Sequence, residues 1–271
     1  MELAVLIPVF NERHWLPLAI ARFDQTPPPA GVRRRLILVD DGSTDGSADL
    51  VRSLGEREDT TGLTHAQNKG KGAALRTALA AALQPGHPWG PPDVILIHDA
   101  DLEYDPADHP ALLEPIMTGK ADAVIGSRFL GPSHRVLYYW HYLANTVITH
   151  LCNAATNLNL TDIECCSKAF TREVASRLTI EEMRFGVEPE LVAKLAAMRI
   201  PSDASGARIE APPSLPVPLR RLRVYEVAIS YAGRTYDEGK KIRPVDGLRA
   251  LWCILKYGVL KIATRPSSAS Q

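Results

Sequence analysis

Two aspartates separated by one residue follow a short apolar run near the middle of the chain. The run is Val94–Ile97, and Asp99 and Asp101 come just after it, with Glu103 two residues further on. Carboxylate oxygens suit Mg²⁺ and Mn²⁺, and Mg²⁺ takes few of them, completing its shell with water and substrate phosphates. A solvated acidic turn has the same composition. We predict a divalent-cation site because two other polar clusters occupy equivalent places after apolar runs.

Those two clusters follow the first and second apolar runs of the chain. Leu3–Val9 is followed by the residues FNE, and Leu36–Val39 by the sequence DDGSTDGS. Ligands of open α/β sheets bind beyond the carboxyl ends of parallel strands, so we expect the three clusters to meet. The second cluster also has the composition of a strand-to-helix turn, with Gly42 permitting tight geometry. Its carboxylates could in addition accept hydrogen bonds from a nucleoside.

A glycine-rich segment with two lysines, NKGKG, opens the alanine-rich helix expected over Asn68–Leu83. The free N–H groups of a helix N-terminus and the two ammonium groups could meet a diphosphate. The spacing is not that of a Walker loop. A plain glycine-rich helix start is an equally good interpretation.

Strand-like and helix-like segments alternate around these clusters in the first half of the chain. Apolar residues have helical spacing over Asn11–Phe23 and Ser47–Leu54, and a fourth strand is expected at Ala123–Ile125. This alternation indicates an α/β fold with a mostly parallel sheet flanked by helices.

The second half of the chain is less regular. Helices are predicted over Tyr138–Leu158 and Pro189–Met198, and Arg223–Ser230 alternates like an edge strand. The Pro/Ser-rich segment Pro201–Pro218 is interpreted as an inserted loop.

An amphipathic helix is predicted over Val245–Thr264, with Arg249, Lys256 and Lys261 largely off its apolar stripe. Such a helix could lie on a bilayer and offer its basic side chains to anionic head groups. It could equally pack its stripe into the core. The stripe comprises Leu248, Leu251, Trp252, Leu255, Val259 and Ile262.

Charge is unevenly distributed, although the 271 residues contain 31 basic and 31 acidic side chains. Residues 1–218 carry 20 basic and 27 acidic side chains, whereas 219–271 carry 11 and 4. Zero net charge argues against a nucleic-acid binder with a broad basic face. The basic C-terminal fifth favours an anionic partner such as a phosphate or a lipid surface.

The sequence also bears on the compartment. No stretch approaches the ~20 apolar residues of a spanning helix, and MELAVLIPVF lacks the basic start of a signal peptide. Cys165 and Cys166 are adjacent, which is poor geometry for a disulfide. We therefore predict a cytoplasmic protein, peripheral at the inner membrane face if its acceptor is a lipid.

Taken in order, the motifs resemble glycosyltransferase family 2, and most of all its dolichyl- and polyprenyl-phosphate sugar synthase branch. They are LIPVFNE, LVDDGSTDGS, NKGKGAALRTAL, HDADLEYDP, GSRF, TDIECCSKAF and FGVEPEL, within roughly Met1–Tyr257. The resemblance implies a single GT-A (Rossmann-like) domain over 1–264 and a flexible tail over 265–271. Its nucleotide-binding half would end near residue 130, and the acceptor-binding half would follow.

The resemblance also implies roles for individual residues. The D-x-D pair would bind the cation and diphosphate, with Glu103 as a further ligand, and Arg128 of GSR would face an acceptor phosphate. Asp162 and Glu164 of TDIECC are the candidate catalytic bases, although a polar turn explains them equally well. Nucleotide-sugar binding is implied for Pro8, Phe10, Glu12, Asp40, Asp41, Lys71 and Asp99, metal binding for Asp99, Asp101 and Glu103, and closure over phosphates for Arg234, Lys240 and Lys241.

The implied reaction is inverting hexosyl transfer, dependent on Mg²⁺ or Mn²⁺, from UDP-glucose or GDP-mannose to a polyprenyl phosphate. One alternative keeps this donor chemistry but uses a soluble hydroxyl acceptor, which would require a catalytic base. A sugar-1-phosphate nucleotidyltransferase is disfavoured, because its G-x-G-T-R loop is replaced here by PVFNER. His98 before the D-x-D pair, the missing aromatic residue after TDIEC and the insert at 201–218 depart from the family pattern.

Overall fold

The computed structural model describes residues 1–131, 135, 138–202, 217–235 and 244–260. The strands are β1 (Glu2–Val9), β2 (Arg33–Asp40), β3 (Thr60–Thr64), β4 (Val94–Ile97), β5 (Ala123–Ser127), β6 (Lys168–Thr171), β7 (Arg199–Pro201), β8 (Leu219–Arg221) and β9 (Val224–Ala228). The α-helices are α1 (Leu16–Gln25), α2 (Ser47–Leu54), α3 (Lys71–Leu83), α4 (His109–Met117), α5 (Tyr139–Thr156), α6 (Arg172–Arg177), α7 (Val187–Ala197) and α8 (Pro244–Cys253). A 3₁₀ helix covers Pro106–Asp108, and a π-helical segment over Ile254–Val259 continues α8.

Seven strands form one sheet in the order β3-β2-β1-β4-β6-β5-β9. All neighbours are parallel except β6, which runs antiparallel to both β4 and β5. Val9 lies opposite Asp40, so the FNE and DDGSTDGS clusters leave the sheet side by side. The predicted α/β fold with a mostly parallel sheet is confirmed.

The apolar runs form strands because both faces of the sheet are covered. All four residues of β4 are buried, as are the central residues of β1 and β2. Continuous apolar runs are typical of parallel strands covered on both faces. The same burial places the polar residues that follow these strands at the edge of the sheet.

Several elements differ from the sequence-based expectation: β7, β8, α4 and α6 were not predicted, nor were two strands of the main sheet, and one helix starts later. β3 and β6 were not predicted, because TTGLT and KAFT are not continuous apolar runs. Helix α1 begins at Leu16 rather than at Asn11, which has a left-handed φ of +51°. Asn11 instead joins two clusters: its backbone N–H donates to Ser43 Oγ, and its side chain accepts from Thr44 N, each at 2.9 Å.

The elements that were predicted for the second half lie within a few residues of their expected bounds. The predicted edge strand is β9, which pairs in parallel with β5 at the end of the sheet. Of the predicted insert, only its two ends are described: β7 and β8 form a separate antiparallel pair there, and residues 203–216 lie outside the described part.

Helix α8 has its apolar stripe on the outside. Leu248 is 69% exposed and Trp252 47%. The side that packs on the body carries Ala250, Cys253, Ile254 and Tyr257. Beside it, Arg249 Nη2 lies 2.7 Å from Glu182 Oε2 and Lys256 Nζ lies 3.3 Å from a Glu181 oxygen. Packing of the stripe into the core is therefore wrong for the described part.

Other outward-facing members of the stripe are Leu251, Leu255 and Val259, whereas Ile262 and Lys261 lie outside the described residues. Across the segments that the structure describes, no helix combines the length and the apolar character needed to span a bilayer.

Candidate active site

The carboxyl ends of β1, β2 and β4 border a single large cavity of about 1400 Å³. The predicted site residues that line it are Pro8, Phe10, Glu12, Asp41, Lys71, Asp99, Asp101, Glu103, Arg128, Glu164 and Arg234. Asp40 and Asp162 are buried outside the cavity lining. Lys240 and Lys241 lie outside the described residues. The clusters at the strand ends thus meet as expected.

Asp40 and Asp41 both organise the turn after β2. Asp40 Oδ2 accepts from the N–H groups of Gly42 and Ser43 at 3.1 Å. Asp41 accepts from Gly70 N at 2.6 Å and from His65 Nδ1 at 2.7 Å, which ties this turn to the start of α3. The turn interpretation therefore accounts for most of their contacts. Nucleoside binding by these aspartates stays a prediction.

Asp99 is paired with Lys71, the first residue of α3. Lys71 Nζ lies 2.9 Å from Asp99 Oδ2, 3.1 Å from Glu188 Oε1 and 3.1 Å from Cys166 Sγ. Burial alone would lower the pKa of Lys71, but these neighbours, Asp99 foremost, hold that pKa well above its usual value. The ammonium group is therefore a fixed positive charge in the cavity. The charged part of the cavity lining is called the floor below. It comprises Lys71, Asp99, Asp101, Glu103, Arg128 and Arg234.

Asp101 is paired with Arg234, from the segment after β9. Arg234 Nη2 lies 2.9 Å from Asp101 Oδ2, and the two Nη atoms lie 3.4 Å from the Glu12 carboxylate. The Arg234 backbone N–H donates to Glu103 at 2.9 Å. Burial, followed by the charges of Asp99 and Glu103, raises the pKa of Asp101 to about 7. The guanidinium of Arg234 thus contacts three carboxylates, those of Glu12, Asp101 and Glu103.

The donor set of this floor fits a hard divalent cation. Asp99, Asp101 and Glu103 carry carboxylate oxygens on one loop, and the guanidinium already placed at Asp101 shows that this point attracts positive charge. Within the described ranges, no group of three or more Asp, Glu, His or Cys side chains is arranged to hold a metal unaided. Mg²⁺ commonly takes one or two carboxylates and completes its shell with water and substrate phosphates.

Arg128 and Asp162 form a third ion pair at the floor, and this pair is bidentate. Arg128 Nε and Nη2 donate to the two Asp162 oxygens at 2.6 and 2.8 Å. Burial would raise the pKa of Asp162, but Arg128 lowers it below its usual range. Asp162 is therefore placed to orient Arg128, and its assignment as a base stays a prediction.

Glu164 has a different environment. It lines the cavity, and its Oε1 atom has no hydrogen-bond partner among the described residues. Burial and the nearby charge of Glu188 raise the pKa of Glu164 to about 7. Of the two candidate bases, the geometry favours Glu164.

Three site residues were not singled out from the sequence. Lys168 is fully buried, and its ammonium donates to Glu188 and to the carbonyl oxygen of Cys165. Tyr231 donates from Oη to Glu103 at 2.9 Å. Lys168 and Glu188 lie within the motifs SKAF and FGVEPEL, but nothing in a motif pairs two residues twenty positions apart.

The remaining wall of the cavity is mostly apolar and is built from α5 and α8. It includes Tyr142 and Ile148 of α5, and Val245 and Ala250 of α8. Helix α5 contains no Asp, Glu, Lys or Arg, and it exposes several aromatic side chains, with Trp140 at 73%. The cavity therefore joins a charged floor to an apolar mouth.

Comparison with known proteins places this geometry in a family. The profile of glycosyl transferase family 2 matches residues 4–179. An undecaprenyl-phosphate 4-deoxy-4-formamido-L-arabinose transferase of Aeromonas hydrophila is 27% identical over 73% of this chain and 57% of its own length. An undecaprenyl-phosphate mannosyltransferase of Micrococcus luteus is 28% identical over 73% of this chain and 79% of its own. The chain thus spans only a little over half of the first of these relatives.

Among solved structures, glucosyl-3-phosphoglycerate synthase of Mycobacterium tuberculosis shares the fold. Its complex with Mn²⁺, uridine diphosphate and glucosyl-3-phosphoglycerate superposes with a TM-score of 0.64 at 19% identity, covering 98% of this chain and 81% of the neighbour. A complex with Mg²⁺ and uridine diphosphate gives a TM-score of 0.62. The fold is the GT-A fold, and the chain belongs to glycosyl transferase family 2, within which it resembles the undecaprenyl-phosphate sugar transferases.

Proposed function

We propose that the chain transfers a hexosyl group, with inversion, from a nucleotide-diphospho-sugar to a polyprenyl phosphate. The observation that carries this proposal is a single cavity with a charged floor and an apolar mouth. A soluble phosphate would use only the floor, whereas a prenyl phosphate would use both ends. The names of the undecaprenyl-phosphate relatives support the same acceptor class.

In this mechanism the side chains of the floor position two anions. Arg128, oriented by Asp162, holds the acceptor phosphate through charge-assisted hydrogen bonds. Lys71 and Arg234 place positive charge where the nucleoside diphosphate departs. A divalent cation held by Asp99 and Asp101 would supply further charge stabilisation to that leaving group.

The acceptor class decides whether a base is needed. A phosphate monoester is already anionic at neutral pH, so its oxygen attacks the anomeric carbon without proton removal. A hydroxyl acceptor must lose a proton, and Glu164 is the cavity-lining carboxylate available for that task. The same variant, Glu164→Gln, therefore distinguishes the two acceptor classes.

We place the enzyme at the inner face of the membrane, in contact through the outward faces of α5 and α8. Aromatic side chains such as Trp140 and Trp252 suit the region of lipid head groups, and the adjacent leucines suit the acyl boundary. In this orientation the mouth of the cavity opens toward the lipid that carries the acceptor phosphate.

The test is a transfer assay with UDP-glucose and GDP-mannose, each with Mg²⁺ or Mn²⁺. Undecaprenyl phosphate in mixed micelles is compared with soluble hydroxyl acceptors. We expect hexosyl transfer to the lipid phosphate, with Glu164→Gln changing the rate by less than about tenfold, against the 10²- to 10⁴-fold typical of a lost base. Transfer only to hydroxyl acceptors, abolished by Glu164→Gln, would replace the lipid by a soluble acceptor. Pyrophosphate release from sugar phosphate and nucleoside triphosphate would show a nucleotidyltransferase instead.

A further inference from the structure

Each aspartate of the D-x-D pair has a side-chain cation beside it, but the two cations are held differently. Lys71 belongs to the first turn of α3 and contacts Asp99, Glu188 and Cys166 at 2.9 to 3.1 Å. Arg234 lies in a segment between strand and helix, and its Nη atoms are 3.4 Å from Glu12. Its shortest side-chain contact is to Asp101. Its other side-chain hydrogen bonds, to Glu12 and Glu103, are all 3.4 Å long, so Arg234 is held by weaker contacts than Lys71.

We propose that Arg234 occupies the place of the divalent cation in the free protein and is exchanged when the donor binds. Its guanidinium leaves Asp101 for the diphosphate of the donor as the carboxylate passes to the cation. The consequence is cooperative binding: the cation and the nucleoside diphosphate each bind weakly alone and tightly together. This inference rests on the proposed function, which supplies both ligands.

The charges on the floor require this coupling. A dication arriving alone would meet the guanidinium at the same carboxylate, and the two positive charges would repel each other. A diphosphate arriving alone would be repelled by the carboxylates of Glu12, Asp101 and Glu103. In the free protein the single positive charge of Arg234 contacts all three. A cation and a diphosphate that bind together are close to neutral, so neither the repulsion from Arg234 nor the repulsion from the carboxylates opposes their binding.

The chemistry of the guanidinium suits the second half of the exchange. Arginine binds phosphate oxygens through two parallel N–H donors, so it can replace its carboxylate bonds with bonds of equal kind. Lys71 cannot make the same move without leaving Glu188 and Asp99 together unneutralised. Arg234 is thus a positioning residue that links the two binding events, and linkage makes the effect reciprocal.

The experiment measures Mn²⁺ binding directly, by electron paramagnetic resonance of free Mn²⁺, with and without UDP or GDP. It compares the full chain with Arg234→Gln, and with Arg223→Gln as the matched control. Arg223 also pairs with an aspartate, Asp122, but it does not line the cavity. In the wild type we expect nucleoside diphosphate to tighten Mn²⁺ binding by about 5- to 150-fold.

Arg234→Gln should bind Mn²⁺ alone about tenfold more tightly than the wild type, and nucleoside diphosphate should then add little. Arg223→Gln should behave as the wild type. Mn²⁺ binding by Arg234→Gln that is no tighter than wild type overturns the exchange while leaving the proposed function intact. Failure of every protein to bind Mn²⁺, even with nucleotide, overturns both.

If Arg234→Gln does not fold, Arg234→Lys provides the test instead. This variant keeps a positive charge but can contact fewer carboxylates. Its coupling should lie between those of the wild type and the glutamine variant. Coupling in Arg234→Lys equal to that of the wild type would contradict a role for the guanidinium.

Discussion

The floor and the mouth of the cavity differ in the side chains that they present: the floor carries ion pairs, and the mouth is mostly apolar. On the floor, buried carboxylates are paired with cations, as in Lys71–Asp99, Arg234–Asp101 and Arg128–Asp162. At the mouth, α5 carries no formal charge, and α8 turns Leu248 and its neighbours outward while Arg249 pairs with Glu182 of the body. Removing ions from water and exposing apolar surface both cost free energy. Each end is therefore best explained by the part of a ligand that it complements.

The largest expected effect tests whether the floor depends on its ion pairs for stability. Lys168→Met removes the fully buried cation beside Glu188 and leaves only Lys71, among the described residues, next to that carboxylate. Removing one partner of a buried ion pair typically costs about 3–5 kcal/mol, and we expect the lower end of that range. Urea unfolding measures the change. Lys120→Met is the matched control, since its pair with Glu114 is exposed and should cost less than about 1 kcal/mol. Equal losses in both variants would remove the distinction between buried and surface pairs.

The second effect concerns the chemistry of the floor. Asp101→Asn keeps the shape of the side chain but removes its charge, so transfer should fall by about 10²- to 10³-fold. The rate is measured at saturating Mn²⁺. The control is Asp49→Asn, an exposed aspartate of α2 that should leave the rate unchanged. Metal-dependent turnover at the wild-type rate in Asp101→Asn would refute the metal assignment.

The third effect tests the mouth. Leu248→Glu combined with Trp252→Glu places charges on the outward face of α8. Leu248 is 69% and Trp252 47% exposed, so each has roughly half of its surface left to bury and would contribute roughly 1–1.4 kcal/mol. Binding to anionic liposomes should therefore weaken by about 30- to 100-fold. Co-sedimentation measures binding. Leu18→Glu, a similarly exposed leucine on α1, is the control and should bind as the wild type. Undiminished binding by the double variant would mean that this face does not contact the bilayer.

The smallest effect concerns the raised pKa of Glu164, which should make the stability of the protein depend on pH. Its pKa is about 7 in the folded protein, above the 4.5 of an ordinary glutamate, so the folded state favours the protonated form. The resulting stability is present below about pH 4.5 and is lost as the pH rises through 7. Glu164→Gln should lack this loss and gain about 2 kcal/mol relative to the wild type between pH 5 and pH 8. Parallel pH profiles of the two proteins, measured by urea unfolding, would place the titration elsewhere.

The floor could be predicted from the sequence because strand ends and motifs coincide. Asp99 and Asp101 follow a continuous apolar run, and the position of such runs determines which edge of a parallel sheet they reach. The partners of these aspartates were harder to identify, since Arg234 comes from a position more than 130 residues away. Motif spacing describes what is near in sequence, and ion pairs across the cavity are formed by the fold.

The mouth was predictable as a pattern but not as an orientation. The periodicity of α8 identifies its stripe, yet a stripe has the same periodicity whether it faces the core or the outside. The structure buries a second, smaller apolar side formed by Ala250, Cys253, Ile254 and Tyr257, and Arg249 and Lys256 beside it pair with Glu182 and Glu181. Strand β6 was not predicted because it is short and begins with Lys168, a charged residue that the fold nevertheless buries.

The antiparallel strand β6 also sets an order of events during synthesis. β1 to β4 are complete once residue 97 has been made, whereas β6, the second neighbour of β4, ends at residue 171. Until the ribosome passes that point, one edge of the entirely apolar strand VILI has no partner strand within the sheet. Unpaired apolar edges act as templates for wrong pairing between chains. Nascent chains that stop between these two points should therefore aggregate more readily than chains in which β6 has been made.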